Sequence, residues 1–341
     1  MRAFLITLAL LLATAWAGLA ALDRLPDPAA SLSPRTGPDL GSVKAWGYQL
    51  QSINARLIPD EIDLLVVDYS RDGTADRALT PNDIETLRTK PGGARRIVLC
   101  YLSIGEAENY RAYWRRRWST TPPVWLGPEN PAWKGNYAVN YWHPEWQRLI
   151  VDPARAALST WDRLMLALFP QAQPYLDHIL EAGFDGVYLD RIDAYEKALE
   201  TRPSATADMM AFVETISAYA KKRRPGFLIV PQNGEALLTE PRYRRAIDGV
   251  GKEDLFYGET GDAIANIPTD VRQTIAQLNR AKADGRPVFV VEYLTDEDLK
   301  RKVHAELRQL GYVGVFAGRG LSLPPVLPPQ PAPPAEPAQP K

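Results

Sequence analysis

The sequence predicts an α/β fold, a single (β/α)8 TIM barrel, on three observations. Residues 43–321 form one continuous stretch of about 280 residues, close to the ~250 usual for this architecture. Eight short, β-rich apolar runs can be counted in it. Helical patterns separate most of the runs, as a parallel sheet requires. A doubly wound open sheet is the structural alternative, but no G-x-G-x-x-G follows a strand run.

In order, the runs are "AWGYQL" (45–50), "IDLLVVDYS" (62–70), "RIVLCYLSIG" (96–105) and "DGVYLDRI" (185–192). Then come "GFLIVPQ" (226–232), "IDGVGKEDLF" (247–256), "PVFVVEYL" (287–294) and "GYVGVFA" (311–317). The clearest helix is "TADMMAFVETISAYAKKRR" from Thr206. Met209, Val213, Ile216 and Ala220 share one face, basic residues close it, and Pro225-Gly226 stops it. Connections 51–61 and 233–246 have room for only a stub of helix each.

The flanks differ from this core. Residues 1–20 have one Arg, an apolar run and small residues around Ala15, Ala17 and Ala20, the layout of a cleaved secretory signal. An uncleaved anchor is the alternative, but the run is short for a span of ~20 apolar residues. Residues 21–42 read as a Pro/Ser/Gly-rich linker, and residues 322–341 as a Pro-rich tail that buries nothing. The mature protein is therefore expected to be secreted or periplasmic, with no membrane span.

The whole chain of 341 residues is 45% hydrophobic, and 40 basic residues balance 41 acidic ones, so no global field advertises a nucleic-acid partner. Cys100 is the only cysteine, inside an apolar run, and reads as an inert thiol. His143, His178 and His304 are scattered without ligand spacing. No metal and no cofactor are expected.

Chemistry in such a barrel gathers at the C-terminal ends of its strands, and there the runs repeatedly turn polar. The first gives Tyr48 and Gln49, the second Asp68 and Tyr69, and the third leads into Glu106 and Glu108. The fourth gives Asp190, Arg191 and Asp193; the fifth Gln232, Asn233 and Glu235. The sixth gives Lys252, Glu253 and Asp254, the seventh Glu292 and Tyr293. Any one acid could simply cap the next helix. Glutamates after four of the strands are less easily explained that way, and converging carboxylates without metal ligands suggest general acid–base chemistry. Two carboxyls without a cofactor suit glycoside hydrolysis. A spacing of ~5–5.5 Å gives retention and ~6.5–9.5 Å inversion.

A long aromatic-rich loop follows the third run. Six of the nine tryptophans (Trp114, Trp118, Trp125, Trp133, Trp142 and Trp146) lie between residues 110 and 146, in a stretch broken by Pro, Gly and Asn. They can stack on sugar rings or pin the loop to the barrel, and the two uses can divide among them. Trp142 is counted among the candidate substrate-binding residues.

The segments "WGYQLQ", "DLLVVDYSRDG", "VLCYLSIGEAENYRAYW", "WLGPENPAWKGNYAVNYWHPEW", "ILEAGFDGVYLDRIDAYE", "PQNGEALL" and "GVGKEDLFYG" resemble those of glycoside hydrolase family 114. That group comprises extracellular endo-α-1,4-polygalactosaminidases on a barrel fold, and the resemblance spans about residues 43–320. It implies endo-acting, metal-free hydrolysis of an α-1,4-linked galactosamine polymer, with Asp190 as nucleophile and Glu253 as acid/base. Strand alternation turns Tyr188 and Asp190 inward, with Val187 and Leu189 toward the helices. For Lys252 and Glu253 it is ambiguous, because Gly249 and Gly251 allow a bulge. Residues 151–170 look like an insertion relative to the family, most simply an added surface helix. The surplus acids, Glu106, Glu108, Asp193, Glu235, Asp254 and Glu292, would attract the ammonium of a deacetylated amino sugar. The competing reading is a catalytically inactive carbohydrate-binding barrel.

Overall fold

A computed structural model describes residues 38–153, 173–322 and 324. The signal segment 1–20, residues 21–37 of the linker, residues 154–170 of the insertion and nearly all of the tail lie outside the described residues.

The described residues form eleven strands, β1 (Trp46–Gln49), β2 (Leu64–Val67), β3 (Ile97–Ser103), β4 (Glu106–Glu108), β5 (Leu126–Glu129), β6 (Asn136–Val139), β7 (Gly186–Asp190), β8 (Leu228–Pro231), β9 (Val250–Glu253), β10 (Val288–Glu292) and β11 (Val313–Phe316). All eight runs read from the sequence are present, as β1, β2, β3 and β7 to β11. They form a parallel (β/α)8 barrel whose hydrogen-bond ladder comes in two arcs, β1-β2-β3-β7-β8 and β9-β10-β11. One seam is stitched by the parallel bridge between Gln232 and Gly251 and by Asn233 N–H donating to Gly251 O at 2.9 Å. At the other, the Trp46 indole donates to Val313 O at 3.0 Å, and Leu321 O accepts from the backbone of Leu50 and Gln51.

Strand alternation sorts side chains into two cores. Trp46, Tyr48, Leu64, Val66, Leu99, Tyr101, Tyr188, Val230, Phe289 and Val291 fill the barrel, while Leu65, Val67, Val98, Val187, Leu189 and Val290 face the helices. Four aromatic rings plug the centre, with Trp46, Tyr48, Tyr188 and Phe289 at centroid spacings of 5.2–6.1 Å. The β9–β10 register runs from Val250 to Glu253 without a shift, so there is no bulge. Glu253 pairs with inward Val291 and therefore faces the barrel; Lys252 pairs with outward Val290. Gly251 serves a close approach instead: a methyl there would run into the Tyr188 hydroxyl.

The helices are α1 (Pro81–Arg88), α2 (Pro144–Ile150), α3 (Tyr175–Ala182), α4 (Ala194–Ala198), α5 (Ala205–Arg223), α6 (Pro241–Ala246), α7 (Pro268–Ala283) and α8 (Glu297–Leu310). On α5, the apolar stripe Met209, Val213, Ile216 and Ala220 is buried as its spacing dictates. No helix among the described residues is long and apolar enough to cross a membrane.

Residues 110–146 depart from the expected loop. Strands β5 and β6 pair antiparallel and join β4 in a small sheet over the barrel mouth, order β4-β6-β5. The tryptophans divide between packed and exposed positions. Trp114, Trp118, Trp125 and Trp146 form a chain of contacts at 5.1–5.3 Å that pins this sheet, whereas Trp133 is 53% exposed at its tip.

Candidate active site

The strand ends open into a cleft of about 920 Å³. Six non-glycine residues among those described have left-handed backbone: Ser52, Arg191, Asn233, Asp254, Ala263 and Leu321. All but Ala263 line this cleft. Three of them come immediately after Asp190, Gln232 and Glu253, where the chain turns sharply off the strand and leaves that side chain at the mouth. Such conformations cost about 1–3 kcal/mol each and cluster at functional sites.

Asp190 ends β7 half-buried. Its Oδ2 accepts from the Tyr101 hydroxyl at 2.7 Å and its Oδ1 from Gln232 Nε2 at 3.3 Å. The same Gln232 nitrogen donates to Glu253 Oε2 across the β8–β9 seam. Asn233 braces Glu253 as well, its Oδ1 accepting from the Glu253 backbone N–H at 3.2 Å. Two oxygens bonded to one nitrogen lie within about 6 Å of each other. Gln232 thus limits how far apart the two bonded oxygens can stand.

Both acids hold their protons more tightly than usual. Burial raises Asp190 to about 6, opposed by the Tyr101 hydrogen bond. Burial also raises Glu253, to about 7, with the charges of Asp190 and Asp254 adding to it and a Tyr293 hydrogen bond opposing. The charge of Asp190 thus favours a proton staying on Glu253.

Around them, Tyr48, Asp68, Glu106, Glu108, Arg191, Asp193, Asn233, Glu235, Lys252 and Tyr293 line the cleft as expected from the strand ends. Most of the acids are already paired. Arg111 grips Asp68 bidentately at 2.7 Å and Glu108 at 2.6 Å; Arg191 reaches Glu106 at 3.2 Å and Asp193 at 3.6 Å. Lys252 meets Glu235 at 3.1 Å, which outweighs the opposing effect of burial and keeps the ammonium charged.

Three expected contacts fall elsewhere. Tyr69 follows inward Asp68, so alternation turns it out, against Tyr175 at 5.3 Å. Glu292 follows inward Val291 and lies fully buried behind the wall, accepting from Phe256 N–H at 2.8 Å. Trp142 packs on Tyr141 and under the Arg202 guanidinium at 4.7 Å, away from the cleft. Trp133 occupies the place expected of a tryptophan there, and Tyr101, Arg111, Glu196, Glu259 and Arg319 line the cleft as well. Tyr101 was signalled by its alternation with Ser103 on β3, and Arg319 by following the last strand. Among the described residues, no group of three or more His, Cys, Asp or Glu is arranged to hold a metal.

Residues 26–323 match the sequence profile of glycoside-hydrolase family GH114. The chain belongs to this family. An uncharacterized protein of Methanocaldococcus jannaschii is 37% identical to the GH114 chain over 270 residues, 75% of this chain and 69% of that one. Another, from Deinococcus radiodurans, is 33% identical over 296 residues, 84% of each. Two solved structures share the fold. The glycoside hydrolase domain of PelA from Pseudomonas aeruginosa superposes with a TM-score of 0.56 at 20% identity, covering 84% of this chain and 98% of that one. Aspergillus fumigatus Ega3, in complex with galactosamine, gives 0.58 at 17%, covering 87% and 98%. The GH114 barrel is thus a glycoside hydrolase fold with two carboxyls at its mouth.

Proposed function

We propose that this protein is a retaining, endo-acting glycosidase that cleaves α-1,4-linked galactosamine polymers outside the cytoplasm, residues 1–20 serving as its export signal. The observation that carries the reading is the pair Asp190 and Glu253, bridged by Gln232 at the base of an open cleft. Their spacing supports retention over inversion, for which carboxyls stand ~6.5–9.5 Å apart. Asp190 attacks the anomeric carbon while Glu253 passes its proton to the departing glycosidic oxygen. Glu253, now a carboxylate, takes a proton from the water that displaces Asp190 and releases the sugar. The lower pKa of Asp190 and the higher one of Glu253 suit these roles. An amino-sugar substrate is supported by the cleft lining, with eleven carboxyl groups against six basic side chains. Glu196 and Glu259, at the exposed rim, have no ion pair among the described residues.

Reducing-end release from partially deacetylated α-1,4-galactosaminan tests this. Wild type should cleave, and folded Asp190→Asn and Glu253→Gln should each lose about 10³-fold or more in kcat. Polymer binding without release by wild type would sink the glycosidase and leave a carbohydrate-binding barrel; absence of binding would sink the substrate assignment.

A further inference from the structure

Arg319, in the segment after β11, has no part in the steps above, yet it touches two residues beside Glu253, Asp254 and Tyr293. Its Nη1 lies 3.0 Å from Asp254 Oδ2 and its Nη2 3.3 Å from Oδ1, a two-pronged pair with the residue directly after Glu253. Its guanidinium covers the Tyr293 ring at 4.6 Å, and Tyr293 in turn faces Glu253, favouring the ionised form of that carboxyl. A further bond reaches Asp262, on the loop after β9.

The surroundings are shaped to this contact. Asp254 has left-handed backbone, φ 53°, which Asp tolerates better than most non-glycine residues. Gly258 passes against the pair with no side chain; a methyl there would strike Asp254 Oδ1 and lie 2.8 Å from Arg319 Nη2. The pair therefore sits on bare backbone, in a gap that fits it.

We infer that Arg319 is a positioning residue for Glu253, holding that side chain from both sides through its ion pair with Asp254 and its stacking on Tyr293. The inference rests on the role proposed for Glu253. The groups facing Glu253 are Asp190 and Tyr188 on β7, Tyr48 on β1, Tyr293 after β10, and its own neighbours Lys252 and Asp254. Of these, Asp254 is the anion that Arg319 neutralises.

Opposed shifts follow. Arg319→Met leaves the Asp254 charge uncompensated, so Glu253 should keep its proton to higher pH and the basic limb of the kcat profile should rise by about half a unit or more. Asp254→Asn leaves the cation alone and should move that limb down. The double variant should return near wild type. Arg319→Lys keeps the charge without the fork or the stack, and should leave the limb in place while lowering kcat about tenfold.

The decisive measurement is the carbon-13 titration of the Glu253 side-chain carboxyl in the unliganded protein, its signal assigned by its absence from Glu253→Gln. This readout needs no substrate. Opposed midpoints with no glycan cleavage by wild type would keep the Arg319 assignment and overturn the glycosidase. Cleavage by wild type with an unmoved Glu253 midpoint in Arg319→Met and Asp254→Asn would overturn the Arg319 assignment alone. Should Arg319→Met fail to fold, Asp254→Asn and Arg319→Lys carry the same test: a midpoint lowered in the first and unmoved in the second supports it, and any other pattern overturns it.

Discussion

Glu292 and Glu253 end neighbouring strands, and burial raises the pKa of both, yet only one reaches the cleft. Burial pushes Glu292 up to about 8, the Asp254 charge adding to it against the backbone N–H groups of Phe256 and Tyr257. Its ordinary value is 4.5, so between pH 4.5 and about 8 the folded protein keeps a proton that the unfolded chain has released. The Glu292 contribution to stability should therefore decline as pH rises through that window and level off above it, by a few kcal/mol at most. Glu292→Gln lacks the proton. Melting curves from pH 4.5 to 9 should show wild type losing a few degrees relative to the variant, and parallel curves would refute the raised pKa. At this scale the sequence carried much of the site. A carboxyl at a strand end was readable for Asp190 because "GVYL" alternates cleanly. Tyr69 and Glu292 were misplaced by a rule that counted every polar residue near a strand end and ignored the alternation that turns each second one outward.

Among the elements, the eight barrel strands were legible because each is a short run with β-branched or aromatic residues. The hairpin β5–β6 was not, since Pro128 and Gly127 in "LGPE" read as loop. Both lie where the β5–β6 register shifts, on the outer strand of the small sheet, where a missing N–H or side chain is tolerated. Trp133 at its tip is held by local bonds: its N–H donates to Asn130 O at 3.2 Å, and its carbonyl accepts from Asn136 N–H at 3.1 Å. The side chains of Asn130 and Asn136 tie the same turn to Glu106 on β4. We propose that this exposed ring at the cleft edge is a stacking surface for a sugar. Trp133→Ala should raise KM for the polymer about tenfold, a loss of ~1.4 kcal/mol, with kcat nearly unchanged. Unaltered polymer kinetics would remove Trp133 from the binding surface. Which tryptophan stood free could not be read from composition, because it depends on which rings the hairpin folds inward.

Across the molecule, a net charge of −1 conceals a local imbalance, since the cleft lining carries eleven acids against six bases. Composition could not reveal that, because only folding brings the strand ends together. Raising salt from about 0.05 M to 0.5 M shortens the screening length from above 10 Å to below 5 Å. Cleavage of a deacetylated polymer should then show a several-fold higher KM, while a fully acetylated one should respond little. Equal responses would remove the electrostatic part of the substrate reading. The barrel's discontinuous ladder bears on the product as well. Asp190 belongs to the five-stranded arc and Glu253 to the three-stranded one, so the gap between the acids is also the gap between the two arcs. If that seam parted by a couple of ångströms, a water would fit between the carboxyls, and the same two residues would deliver the opposite anomer. The handedness of the product would then be set by a few bonds at a joint in the wall, with the chemical identity of the acids left unchanged.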